Sequence, residues 1–206
     1  MKLAIFGATG GTGAELVKQA IERGHSVTAF VRNPAKFANK GEGLTIVTGD
    51  IHNLTDVERS IQGQDAVICA LGARNLKKTM IRKVGTVNII NAMKKNNVRR
   101  LIVVSAMGVG ESWNSLSMVN KLFFAFLLKS AREDHEAQEA AVKESGLDWT
   151  IIRPSGLVNS SRTGVYSVGE NIRAKTSQIS RADVVDLILN DLEDGALVHR
   201  AVTITN

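Results

Sequence analysis

Short apolar, β-branched runs alternate along this chain with longer segments whose apolar residues recur every three or four positions. The short runs predict strands at Lys2–Phe6, Ser26–Val31, Leu44–Val47, Ala66–Cys69, Leu101–Val104, Trp149–Ile152 and Ala201–Ile204. Several are apolar at successive positions, as expected of strands covered on both faces. Helical spacing appears between them in Leu16/Ala20 with Val17/Ile21, Leu54/Val57/Ile61, Val84/Val87 and Val184/Ile188. Strands alternating with helices need crossover connections, and these imply a parallel sheet.

Two stretches interrupt the alternation. Residues 106–117 have loop chemistry, follow a strand's carboxyl end and open a lid segment running to about 128. Residues 156–180 hold scattered glycine and serine with little periodicity, after which Ser180 reads as the N-cap of the next helix. An open α/β sheet binds its ligand at the carboxyl ends of its strands, so both insertions are candidate substrate segments. No repeat or linker divides residues 1–206, and a single domain is expected.

Directly after the first run comes Gly7-Ala8-Thr9-Gly10-Gly11-Thr12-Gly13, opening the first helical segment. Glycines at 7, 10 and 13 give a variant of the dinucleotide fingerprint. The first permits the turn, the second lets backbone N–H groups approach a diphosphate, and the third packs helix on strand. The fold expected is a Rossmann-type α/β domain, doubly wound, with helices on both faces of a parallel sheet ordered 3-2-1-4-5-6-7. Past the second strand, where an NAD-selective site places an acid, stands Arg32, with Lys36 one turn on. An acid would repel a 2′-phosphate, whereas a guanidinium binds one through paired hydrogen bonds, which points to NADP(H). The competing reading of Arg32 is a solvated surface arginine.

Composition adds exclusions. Net charge is 26 − 20 = +6 over 206 residues, with a pI near 9.6. The basic pairs are scattered and aromatics make up only 4% of the chain, so nucleic acid is not expected as a partner. A lone cysteine, Cys69, excludes an internal disulfide and a cysteine-based metal cluster, and no metal is expected. The apolar run Leu122–Leu128 is far shorter than the roughly 20 residues that span a bilayer. It reads as a buried or lid helix, otherwise as a dimer contact or a peripheral membrane touch. Met1-Lys2 leads straight into the first strand, and a cytoplasmic monomer or weak homodimer is expected.

Longer motifs carry a resemblance. AIFGATGGTG at 4–13, VRNPAK at 31–36, GDI at 49–51, GQDAVI at 63–68, LGARN at 71–75, REDHE at 132–136, KESGLDW at 143–149 and TGVYSV at 163–168 span nearly the whole chain. It resembles the atypical, NmrA-like short-chain dehydrogenases/reductases, on their flavin reductase and biliverdin reductase branch. That resemblance implies that Gly7, Thr9, Gly10, Thr12, Arg32, Lys36, Asp50, Ile51, Leu71 and Gly72 hold NADP, with Asp50 and Ile51 facing the adenine. It also implies that Ser105 stands beside nicotinamide and acceptor, that His135 faces the cofactor, and that the backbone after Arg153, at Pro154 and Ser155, meets the nicotinamide amide.

The residues themselves leave alternatives. Asp50 is placed to accept from an adenine amine or to cap the helix near Leu54. Small residues at Ala70, Gly72 and Ala73 let backbone approach a cofactor or simply form a turn. Ser105 ends a strand and His135 falls on an inward stripe with Leu128, Ala131, Gln138 and Val142, so turn and core roles compete with functional ones. Where the branch has a histidine after the proline, this chain has Ser155. Its lid is more apolar, with Met107, Trp113, Leu122, Phe123 and Phe126 available to stack on an acceptor.

One pair is missing. Many short-chain dehydrogenases move the alcohol proton with a tyrosine and a lysine four residues on, but the single tyrosine, Tyr166, is followed at that distance by Glu170. The function expected is therefore hydride transfer from NADPH to a planar acceptor (flavin, quinone or linear tetrapyrrole), with the proton from solvent or through Ser105. The alternatives are a non-catalytic NAD(P)-binding redox sensor and an epimerase- or dehydratase-like enzyme.

Overall fold

A computed structural model describes residues 1–37, 41–72, 80–115, 129–170, 172, 176 and 178–206, the side chains of Lys36 and of 113–115 excepted. The first strand sets the design. In β1 (Lys2–Phe6), Leu3 and Ile5 point to one face while Ala4 and Phe6 point to the other, and all four are fully buried. Helices α1 (Gly11–Glu22) and α5 (Arg181–Asp194) cover the first face through Leu16, Val17, Val184 and Ile188. On the second face lie α2 (Leu54–Ile61), α3 (Ile81–Lys95) and α4 (Lys129–Lys143), through Val57, Ile61, Ile89, Met93 and Val142. Each fully buried Leu or Ile in these layers contributes about 1.5–3 kcal/mol.

The strands β2 (Ser26–Val31), β3 (Leu44–Thr48), β4 (Ala66–Cys69), β5 (Arg100–Val104), β6 (Asp148–Pro154) and β10 (Arg200–Thr205) join β1 in parallel. The sheet runs β3-β2-β1-β4-β5-β6-β10, the expected order, so this is a doubly wound α/β domain of Rossmann type. The direction of winding reverses between β1 and β4.

Segment 156–180 departs from expectation. It holds β7 (Gly156–Val158), β8 (Ser167–Gly169) and β9 (Gln178–Ser180), of which β8 adds an antiparallel edge beside β10 while β7 and β9 pair separately. Runs of three residues carry too little pattern to register as strands. One helix phase also differs, that of α3, and in α2 the first residue of the expected stripe lies outside the core that Val57 and Ile61 enter. Leu54 and Val84 are exposed at 39% and 37%, and α3 turns Gly85, Thr86, Ile89, Ile90 and Met93 inward. Ser180 does cap α5, accepting the Asp183 N–H at 2.8 Å.

Candidate active site

Gly7 leaves β1 with φ +84°, the left-handed region that favours glycine. A Cβ there would strike the Ala70 carbonyl at the end of β4, and one on Gly13 would strike the Gly7 carbonyl. The loop is thus pressed against both strands that flank the reversal point. Gly10 caps α1 in an extended conformation with no side chain bonded to the helix end, and the first turn carries no acid. Thr9, Gly10 and Gly11 are exposed whereas Thr12 is buried. The first N–H groups of a helix lack partners in the helix and carry partial positive charge. This cradle fits a diphosphate.

Arg32 lies exposed just past β2, beside the 3-10 turn Pro34–Lys36 that Asn33 caps. Asp50 is not the cap of α2. Asn53 takes that role by accepting the Thr55 N–H, while Asp50 Oδ1 accepts the His52 N–H at 3.0 Å and the side chain stays exposed. Ile51 and Leu71 close over Gly85 of α3, where a Cβ would lie 2.8 Å from Ile51 Cγ1 and 2.5 Å from Leu71 Cδ1. Gly72 beside them is exposed. Ala73 lies outside the described residues.

At the other end, backbone bonds to β6 continue past the last residue of β5. Ser105 N–H donates to Ile152 O at 2.8 Å, and Met107 N–H to Pro154 O at 2.9 Å. They bring Ser105, Pro154 and Ser155 together above the sheet. Helix α4 passes beneath with His135 and Glu139. Ser105 Oγ donates to Glu139 Oε1 at 2.7 Å and lies 3.4 Å from His135 Nδ1. Arg153 clamps both oxygens of Glu139, Nε to Oε1 at 3.0 Å and Nη2 to Oε2 at 2.5 Å, and its Nη2 also reaches Glu111 Oε2 at 2.6 Å. Lys143 holds the other Glu111 oxygen at 2.8 Å. Hydrogen bonds from Lys143 and Arg153 draw the Glu111 carboxyl down to a pKa of about 2. Burial, with the nearby Arg82 charge, lowers His135 to about 3, so its ring is neutral. Ser155 Oγ, beside Pro154, is buried and has no hydrogen-bond partner among the described residues.

Several expectations are adjusted. Met107 is only 9% exposed and belongs mainly to the core, so it offers little stacking surface. Trp113 sits in the 3-10 turn Gly110–Ser115, its side chain outside the description, and Leu122, Phe123, Phe126 and Leu128 lie outside the described residues altogether. Tyr166 packs on the face of the sheet covered by α5, opposite the face on which α4 carries His135 and Glu139. Its hydroxyl donates to Asp186 at 2.9 Å, and burial helped by that carboxylate raises its pKa to about 12. Glu139 escaped the sequence reading, as did Asp134, which accepts the N–H groups of Arg82 and Lys83 at the start of α3. The signal was present, since Glu139 lies one turn beyond His135 on the inward side of α4. Among the described residues no group of three or more His, Cys, Asp or Glu is placed to hold a metal, and no helix is long and apolar enough to cross a membrane.

Comparison with known proteins agrees with this geometry. The model of a family described as NAD(P)H-binding matches residues 7–195. The uncharacterized protein YwnB of Bacillus subtilis is 32% identical over 202 residues, covering 94% of this chain and 92% of its own. A Rossmann-fold NAD(P)-binding family protein from Shigella flexneri superposes with a TM-score of 0.77 at 27% identity, over 100% of this chain and 93% of that one. ChuY, an anaerobilin reductase from Escherichia coli O157:H7, shares the fold with a TM-score of 0.85 at 24% identity, over 100% and 97% of the two chains. With its glycine cradle inside the matched span, this chain is a member of the NAD(P)H-binding family.

Proposed function

We propose that the protein is an NADPH-dependent reductase that passes hydride to a planar acceptor of the flavin, quinone or linear tetrapyrrole class. One observation carries the reading. The polar group at the carboxyl end of β5 is preorganised yet, among the described residues, holds no acid free to protonate an acceptor: His135 is neutral and the Ser105 proton is directed at Glu139. A carbonyl-to-alcohol reduction needs such an acid, whereas a flavin or quinone takes its proton from solvent.

The residues divide the work by position. Gly7, Gly10, Gly11, Gly13 and the amino end of α1 receive the diphosphate, with the Thr9 and Thr12 hydroxyls at hand. Arg32 and Lys36 favour a 2′-phosphate, and Asp50, Ile51, Leu71 and Gly72 border the adenosine. Ser105, His135 and the backbone at Pro154–Ser155 orient the nicotinamide. When bound, that ring supplies the hydride, and the protein's contribution is alignment and exclusion of water.

The test follows NADPH absorbance with FMN, riboflavin, a quinone series and biliverdin. Steady oxidation with at least one acceptor, saturable in that acceptor, supports the reading. Tight NADPH binding by calorimetry with no consumption against any of them replaces it with a redox-sensing regulator.

A further inference from the structure

We infer that Ser105 engages its ligand only as a hydrogen-bond acceptor, and that Glu139, fixed by Arg153, is the positioning residue that makes it so. A serine hydroxyl has one proton and two lone pairs. The proton is committed, because Oγ lies 2.7 Å from Glu139 Oε1 and an ionised carboxylate can only accept. The carboxylate cannot swing away, since Arg153 holds both of its oxygens and is itself only 1% exposed. Glu111 and Lys143 brace the guanidinium from the lid side.

One lone pair of Ser105 Oγ faces His135 Nδ1 at 3.4 Å. With the serine proton turned to Glu139, that contact is favourable only if Nδ1 carries the ring proton. The second lone pair is what Ser105 has left for a ligand, and its complement is an N–H donor. A ligand presenting a bare carbonyl there meets a lone pair and an unpaired oxygen.

The inference rests on the proposal that nicotinamide lies beside Ser105. The donor is then the carboxamide NH₂, and the amide is held in one of its two flips, with nitrogen toward β5. Ser105 therefore reads the amide and passes no proton to the acceptor.

The experiment compares NADP⁺ with its 3-acetylpyridine analogue, which keeps the carbonyl and lacks the amide N–H, by calorimetry on the full-length protein. Wild type is expected to bind the analogue about tenfold more weakly, the effect of one oriented hydrogen bond. Ser105→Ala should weaken NADP⁺ by a similar factor and bring the two ligands within about threefold of each other, and Ser105→Thr, which keeps the hydroxyl, should restore the preference. Glu139→Gln can turn an N–H toward Ser105 and free its proton, so the preference should shrink. That variant strips a buried guanidinium of its counter-charge, so its melting temperature is read first, and the wild-type and Ser105 arms decide without it. If wild type binds both ligands equally while Ser105→Ala weakens NADP⁺, the serine donates to the carbonyl and the inference fails. If Ser105→Ala leaves NADP⁺ binding unchanged, the nicotinamide is elsewhere, and the inference falls together with the reading beneath it.

Discussion

Arg153 and Glu139 meet as a two-pronged ion pair inside the protein, with side chains 1% and 4% exposed and bonds of 3.0 and 2.5 Å. The planar fork of arginine suits the two carboxylate oxygens, and burial removes the screening that weakens such pairs at a surface. Breaking a pair of this kind from one side strands a charge. Arg153→Met should therefore destabilise the fold by about 3–5 kcal/mol, read from urea denaturation. Arg99→Ala removes the exposed partner of Asp148 and should leave the midpoint nearly unchanged. Equal losses in the two variants would mean that the buried pair is not a principal support.

Acid should loosen the protein through His135. The unfolded chain takes up this proton near pH 6.5, whereas the folded chain withholds it until about 3. The unfolded state thus binds more protons between those values, and stability is lost as pH falls through that window. The slope is at most about 1.4 kcal/mol per pH unit for one group. Denaturation at pH 7, 6 and 5 should show wild type losing stability more steeply than His135→Gln. Parallel curves would show that the imidazole protonates in place.

The glycines of the loop should separate fold from ligand. Gly10 has an ordinary φ of −82°, and a Cβ there would come no nearer than 3.3 Å to the Gly7 carbonyl oxygen. Gly10→Val should fold, yet lose NADPH and NADH alike, because the branched side chain takes the diphosphate's place. Gly13→Ala instead drives a Cβ into backbone and should lower the melting temperature without any ligand present. Retained affinity in folded Gly10→Val would place the dinucleotide elsewhere.

Cofactor preference should follow Arg32. NADPH is expected to bind more tightly than NADH by one to three charge-assisted hydrogen bonds, roughly 1.5–3 kcal/mol each. Arg32→Ala should remove most of that difference and leave NADH binding nearly as it was. Calorimetric titration of both nucleotides checks this, and a wild type that prefers NADH refutes it.

Tyr166→Phe should retain activity within a few-fold, because the hydroxyl is bonded to Asp186 in a structural corner. A hundredfold fall in kcat, about 2.7 kcal/mol of transition-state stabilisation, would reveal a proton-transfer role that the geometry denies.

What the sequence made legible were features whose signal is long or chemically unusual. β1, β4 and β5 are nearly uninterrupted apolar runs, and the glycine loop falls between strand and helix as its motif requires. The phase of α3 was misread because its inward face is not simply apolar. Gly85 is there to admit Ile51 and Leu71, and Thr86 is there to bond Gln138. Glu139 was missed for a related reason. A glutamate in a charged helix reads as solvent-facing until an arginine 14 positions further on, on strand β6, is known to sit over it. Helical spacing from His135 turns Glu139 inward, but the partner that accounts for an inward carboxylate is supplied by topology.

The short strand β8 changes how the sheet ends. It lies antiparallel along Thr203–Thr205 of β10, so the carboxyl half of the last long strand does not present an open row of backbone donors and acceptors. The connection leading to it is hooked to α5, through Asp183 to the Thr163 and Gly164 N–H groups and through Asp186 to Tyr166. At three residues, β8 gives an incoming strand little to template on. A segment that reads as substrate loop in the sequence thus supplies the short outer strand of the sheet, the arrangement by which edges are commonly blunted.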